Sequence, residues 1–265
     1  MKLQLPTPAE MRLDSATPMR LTPQHAEPGI DQIKYVHTHP EGQFFMALQG
    51  VIVCEADGQR AVLPPGRLGW VPPNLPHGAA VHGNGAMQGL AGYTIHLAPE
   101  YCHALPTRSL VLRLSTLARA VIARMCDWPN GIPPDAAALR LMQVFLDEIV
   151  SAEPDPLNLT MPRHPRLLEM AVAIADNPAD ETDLDAWAQR LGFSRRSITR
   201  HFRAETGMSL VEWRQIARLQ RGMQLLAAGD SVTSVAIELG YDSVSSFIAL
   251  FRRILGTTPA RFVGA

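Results

Sequence analysis

The stretch from Leu191 to Gly207, LGFSRRSITRHFRAETG, places four arginines (Arg195, Arg196, Arg200 and Arg203) within nine positions of a 265-residue chain whose formal net charge is −1. A guanidinium is a planar fork of N–H donors. It grips a phosphate, or the O6/N7 edge of guanine, through two parallel hydrogen bonds. At helical spacing Ile198 and Phe202 share one side, and Arg196, Thr199, Arg200 and Arg203 gather on the other. Thr199 adds a hydroxyl for a phosphate and a methyl for thymine. An ordinary amphipathic helix mixes lysine, glutamate and glutamine on its polar face, so a face built from one bidentate cation points to a specific partner. The expectation is a helix that enters the major groove of double-stranded DNA.

Such a helix must be carried by others, and the surrounding sequence repeats itself. LDAWAQRLGF (184–193) and VTSVAIELGY (232–241) match at their apolar positions: Leu184, Trp187, Ala188 and Leu191 against Val232, Val235, Ala236 and Leu239. In each copy a small alanine allows a close helix crossing, and a glycine, Gly192 or Gly240, suits the left-handed end of the first helix. Ser194, and then Asp242 or Ser243, suit the N-cap of the second helix, which buries Ile198 and Phe202 in one copy and Phe247 and Phe251 in the other. The pattern predicts two helix-turn-helix units. A continuous helix from about Ser209 to Ala228 joins them, roughly 30 Å long, close to one turn of DNA. The outward face of the second unit offers Ser245, Arg252 and Arg253, with the arginines toward its C-terminal half. There they suit phosphate better than bases.

The rest of the chain has a different texture. A composition of 46% hydrophobic and 18% charged residues excludes a disordered or collagen-like chain. Residues 1–161 carry a formal charge of −3 and residues 162–265 carry +2, so a nucleic-acid partner is argued from where the arginines sit rather than from net charge. From about Tyr35 to Leu97, short apolar or alternating runs separated by Gly, Pro and Asn predict a compact all-β domain. From Arg108, LVLRLSTLARAVIARMCDW and PPDAAALRLMQVFLDEIVSA read as a helical pair, and the proline-rich Ser151–Pro165 stretch reads as a linker. The fold class is α+β multidomain: residues 1–105 a β-barrel, 106–160 a helical connector and linker, and 161–265 an all-α DNA-binding domain. The Met and Leu stripe of residues 139–149 calls for a cover, which a homodimer supplies. The start of the chain has no apolar leader segment and no stretch is long enough for a membrane span, so a soluble, cytoplasmic protein with no membrane partner is expected. Cys54, Cys102 and Cys126 are scattered and odd in number, and are expected to be small core residues.

Residues 182–262 resemble the DNA-binding domain of the AraC/XylS family of bacterial transcription regulators. The resemblance rests on Ala188, LGFSRRSITRHFRAETG, Arg218, LLAAG and VAIELGYDSVSSFIALFRRILGTTPARF. Leu210 stands where much of that family has proline, which is expected to alter only the start of the joining helix. Residues 30–100 are similar to a cupin, a jelly-roll barrel: HTHPEGQ resembles the first cupin motif and GRLGWVPPNLPH the second. The resemblance implies a small-molecule effector, or a divalent metal, held by His37, His39, His77 and the residue at the glutamate position of the motif. Here that residue is the neutral Gln43, which lowers metal affinity. Glu41, between Pro40 and Gly42, is expected to turn away, and His82, His96 and His103 are expected to be surface or strand residues. The function implied is an effector-responsive, sequence-specific transcription regulator without enzymatic activity. The alternative is a metal-dependent cupin enzyme fused to a DNA-binding module.

Overall fold

Side chains that alternate along a strand sort into two faces, and the N-terminal half of the chain is built on that sorting. The computed structural model describes residues 13–26, 36–82, 90–129 and 132–263. The chain divides into two compact units, residues 1–57 with 63–155, and residues 58–62 with 156–265.

In the first unit, β1 (Met19–Ala26), β2 (Gly42–Gln49), β5 (Arg67–Val71), β7 (Leu90–Leu97) and β8 (Leu110–Arg113) form one antiparallel sheet in the order β1-β7-β2-β5-β8. β3 (Val51–Ala56) pairs antiparallel with β6 (His77–His82). One face of the five-stranded sheet carries Leu21, Phe44, Met46, Leu68, Trp70, Ile95 and Leu97. It packs on α1 (Thr116–Met125) and α2 (Ala136–Ser151) through Val121, Ile122, Met125, Met142, Phe145 and Ile149. The Trp70 indole N–H is satisfied by the Pro106 carbonyl at 2.7 Å. Gly92 is required where β7 crosses the bulge of β2, because a Cβ there would lie 2.3 Å from the Met46 carbonyl oxygen.

Three features depart from the expectation for this half. Strands begin at Met19, well before Tyr35. Leu110–Arg113 is a strand rather than the first turn of a helix: a continuous apolar run fits either period, and pairing of Leu110, Val111 and Leu112 with β5 decides it. The helix starts only after Ser115, whose hydroxyl accepts the Ala118 N–H at 2.9 Å. On α2, Met142, Phe145, Leu146 and Ile149 turn into the unit's own core, and Leu139, Val144 and Val150 remain exposed. Cys54 and Cys102 are buried, Cys126 is half-buried, and none of the three is in a disulfide.

Among the described residues, the second unit is helical apart from one strand pair, β4 (Gln59–Leu63) antiparallel to β9 (Asn158–Thr160), so part of the proline-rich stretch is ordered as sheet. Seven helices follow: α3 (Pro165–Asp176), α4 (Leu184–Leu191), α5 (Arg195–Thr206), α6 (Leu210–Ala227), α7 (Val232–Glu238), α8 (Val244–Leu255) and α9 (Pro259–Val263). Leu159, Leu167, Met170, Ile174, Trp187, Leu191, Ile198, Phe202, Trp213 and Ile216 make a core around α4 and α5. α6 starts at Leu210 behind a capping box, in which the Ser209 hydroxyl accepts the Glu212 N–H and the Glu212 carboxylate accepts the Ser209 N–H. No described helix is long and apolar enough to cross a membrane.

Candidate functional site

Two sites emerge, one in each unit. In the second, α4–α5 and α7–α8 are helix-turn-helix units assembled by the same local chemistry. Gly192 and Gly240 have φ of +67° and +72°, and the aromatic residue after each, Phe193 or Tyr241, donates its backbone N–H to the carbonyl of Ala188 or Ala236 at 3.0 Å. Ser194 and Ser243 cap α5 and α8, accepting the N–H of Ser197 and Ser246 at 3.1 and 3.2 Å. Of the two residues that suit the second cap, Ser243 takes it. Ile198, Phe202, Phe247 and Phe251 are all fully buried.

The opposite faces of α5 and α8 are open. Arg196, Thr199, Arg200 and Arg203 are exposed together on α5. The Thr199 hydroxyl donates back to the Arg195 and Arg196 carbonyls, both at 3.1 Å, which leaves its methyl as the outward group. Arg195 is drawn instead toward α4, where its guanidinium meets the Asp185 carboxylate at 3.0 Å. Both partners are about two-thirds exposed, so the pair orients more than it stabilises. On α8, Ser245, Arg252 and Arg253 are exposed, and Arg253 donates to the Gln215 side-chain oxygen of α6 at 3.1 Å. Long cations therefore cluster on α5, whereas α8 offers short side chains toward its start and arginines toward its end.

In the first unit, residues far apart in sequence converge. His37 and His77 exchange backbone hydrogen bonds of 2.9 and 3.0 Å, which sets their side chains opposite each other. One nitrogen from each of His37, His39 and His77 lies within 4.8 Å of the others. Gln43 sits between two of them, its Oε1 at 3.0 Å from His39 Nε2 and 2.5 Å from His77 Nε2. The other ring nitrogens meet backbone carbonyls, His39 Nδ1 at Glu41 O (3.0 Å) and His77 Nδ1 at Leu75 O (2.8 Å). A carbonyl only accepts, so both Nδ1 atoms carry the proton, and both Nε2 lone pairs face Gln43. Burial, together with the neighbouring His37 and His39, pushes the His77 pKa down to about 4, which keeps that ring neutral near pH 7. Two imidazole lone pairs directed at an amide oxygen form a donor set that fits a divalent cation. The same residues are equally satisfied if the Gln43 amide turns over and its –NH2 donates to both rings.

Two residues behave differently from expectation. Glu41 is 1% exposed, with Oε2 at 3.4 Å from His39 Nδ1, and so it does not turn away. The bend just before β2 turns it inward, against His39. His96 is a strand residue, as expected, but its place beside the site is not: it is 4% exposed, its ring centroid is 5.5 Å from that of His39, and it is the direct cross-strand neighbour of Gln43. His103 is exposed, and the side chain of His82 lies outside the described residues. Phe45 and Trp70 are buried as expected.

Comparison with known proteins finds a match for each half of the chain. A cupin domain model matches residues 20–93, and a helix-turn-helix domain model matches residues 187–264. The chain is 32% identical over 236 residues to the HTH-type transcriptional regulator NimR of Escherichia coli, covering 89% of this chain and 84% of that protein. It is 37% identical over 131 residues to the HTH-type transcriptional regulator RipA of Corynebacterium glutamicum, covering 49% of this chain and 36% of the relative. Among solved structures it is similar to a DNA-binding transcriptional dual regulator from Escherichia coli, at 34% identity with a TM-score of 0.33, covering 36% of this chain and 90% of that one. With a helix-turn-helix domain following a cupin domain in the sequence, and a transcriptional regulator 32% identical over 89% of this chain, the chain belongs to the AraC family of sequence-specific, DNA-binding transcription regulators.

Proposed function

We propose that a ligand held in the cupin barrel by His37, His39, Gln43 and His77 adjusts the affinity of a cytoplasmic homodimer for its operator, and that the barrel senses rather than catalyses. On the DNA side, Arg196, Thr199 and Arg200 read base edges. Arg195, Arg203, Arg252 and Arg253 hold phosphates, and Ser245 makes a short contact under the second unit. The convergence of His37, His39 and His77, the last two directly on Gln43, carries the reading, because a group of ring nitrogens gathered around one amide is a ready set of contacts for a ligand. Where a divalent metal is that ligand, the same four residues hold it, and it supplies Lewis acidity toward an oxygen of a bound molecule. The neutral amide of Gln43, in place of the motif's glutamate, favours reversible binding over a permanently charged catalytic centre. Exposed Leu139, Val144 and Val150 on α2 support a dimer contact.

The test begins with duplexes selected from a random pool by the purified full chain, followed by native mass spectrometry to identify any retained metal or compound. Operator affinity is expected to change when that ligand is removed. A His39→Ala/His77→Ala variant should lose the response yet keep its affinity for DNA. Operator affinity indifferent to the ligand and to both substitutions would overturn the reading. Sedimentation at binding concentrations tests the dimer, which a monomer on a single-site duplex would exclude.

A further inference from the structure

The face of the five-stranded sheet turned away from α1 and α2 is more polar than packing requires. Strand register sets Arg20 of β1, His96 of β7 and Gln43 of β2 side by side in one row, and Thr22, Thr94 and Phe45 in a parallel row two residues along. Between these rows, on the other face, the corresponding trio is Leu21, Ile95 and Phe44, all buried. Burying an imidazole, an amide and a hydroxyl beside a guanidinium is costly unless each finds a partner. His96 Nδ1 has no hydrogen-bond partner among the described residues, although the ring is almost fully buried and faces His39. The row thus sets a guanidinium beside a buried imidazole with an unanswered ring nitrogen and an amide. Glu41 stands at the Nδ1 edge of His39, whereas Nε2 faces Gln43, so its carboxylate lies behind the histidine rather than in the row.

We propose that this row recognises an oxyanion: the barrel takes a small hydroxy- or oxo-carboxylate, its carboxylate against Arg20 and His96 and its adjacent oxygen directed at the His37, His39 and His77 group. The inference rests on the reading of the barrel as a ligand sensor. A carboxylate matches the guanidinium fork with two parallel hydrogen bonds, and an imidazole N–H supplies a third. Adjacent strands are about 4.8 Å apart, so the row from Arg20 to Gln43 spans about 10 Å, a length that a molecule of three or four carbons with its hydrogen bonds at either end matches.

The experiment titrates the full chain with lactate and pyruvate, and in parallel with lactamide and pyruvamide, which keep the shape and lose the charge. Melting temperature and calorimetric affinity are the readouts. At least one acid is expected to bind and raise the melting temperature while its amide does neither. Arg20→Gln should weaken acid binding about tenfold or more, with part recovered in Arg20→Lys, and His96→Leu should weaken it in the same direction. Acid and amide binding alike, no binding by either acid, or an Arg20→Gln protein of unchanged affinity would each overturn the proposal. The acid-to-amide comparison on the unaltered chain decides the matter even where a variant fails to fold. Operator affinity measured in the same titrations separates the two readings. A carboxylate that binds without moving operator affinity leaves this site standing and overturns the sensor. A retained neutral compound that moves operator affinity, with no acid bound, does the reverse.

Discussion

The two helix-turn-helix units share their scaffold and differ in the face they present. Both second helices start behind a serine whose hydroxyl meets another serine hydroxyl three residues on, at 2.9 Å in each case. Both end at a left-handed glycine, Gly207 at φ +76° and Gly256 at φ +75°. Both bury an apolar pair completely, Ile198 with Phe202 and Phe247 with Phe251. Yet α5 exposes Arg196, Thr199, Arg200 and Arg203, whereas α8 exposes Ser245 and Ala249 before Arg252 and Arg253. Buried positions and caps thus hold the shape, and the outward face is free to vary in what it reads.

The equivalence of the scaffolds is tested most severely in the core. Phe202→Ala and Phe251→Ala should each cost about 3–5 kcal/mol of unfolding free energy in denaturant titrations. Losses that differ by more than about 2 kcal/mol would break the symmetry. The inequality of the faces is tested next by an operator scan. Base changes under Arg196, Thr199 and Arg200 should cost about 1–3 kcal/mol each, and those under α8 distinctly less. Arg200→Ala should lose about 1–3 kcal/mol on the best operator and relax the preference at one position. Equal base preference under both units would refute the division of labour. Arg252→Ala should weaken binding to every sequence alike and reduce the slope of log affinity against log salt by about one unit. Loss confined to one sequence would make Arg252 a base reader. Smallest are the caps: Ser194→Ala and Ser243→Ala should each cost about 1 kcal/mol in thermal unfolding, and the same amount in both units.

What is legible in the sequence follows the range of the forces involved. The helix-turn-helix units are legible because their signals are local: Ser194, Gly192 and the Ile198/Phe202 pair lie within a few turns of one another. Leu110–Arg113 is not, since only pairing with the distant β5 makes a strand of an apolar run. The first-motif histidines and Gln43 are legible from their resemblance to a cupin. His96 has no such signature, and only the β2–β7 register brings it beside Gln43. A closer reading of parity in AGYTIHL, where Thr94 and His96 alternate with Tyr93, Ile95 and Leu97, marks His96 as belonging to the face opposite the apolar one. Glu41 carries no such signal, because it stands in the bend before β2 and only the fold brings it against His39.

The β4–β9 pair bears on how this chain can be dissected. The second unit takes in residues 58–62, so no single cut separates it from the rest of the polypeptide. A fragment begun at residue 161 would contain both helix-turn-helix units but neither strand. The Trp213 indole N–H would lose the Thr160 carbonyl it meets at 2.8 Å, and the buried Gln220 amide would lose the Leu157 and Arg60 carbonyls at 2.8 and 3.3 Å. Each buried donor left unanswered costs about 1–3 kcal/mol, and Leu159 would no longer close the core beside it. Such a truncated product should therefore melt earlier than the same unit in the intact chain. A fragment begun at residue 156 would recover Thr160, Leu157 and Leu159, but not Arg60.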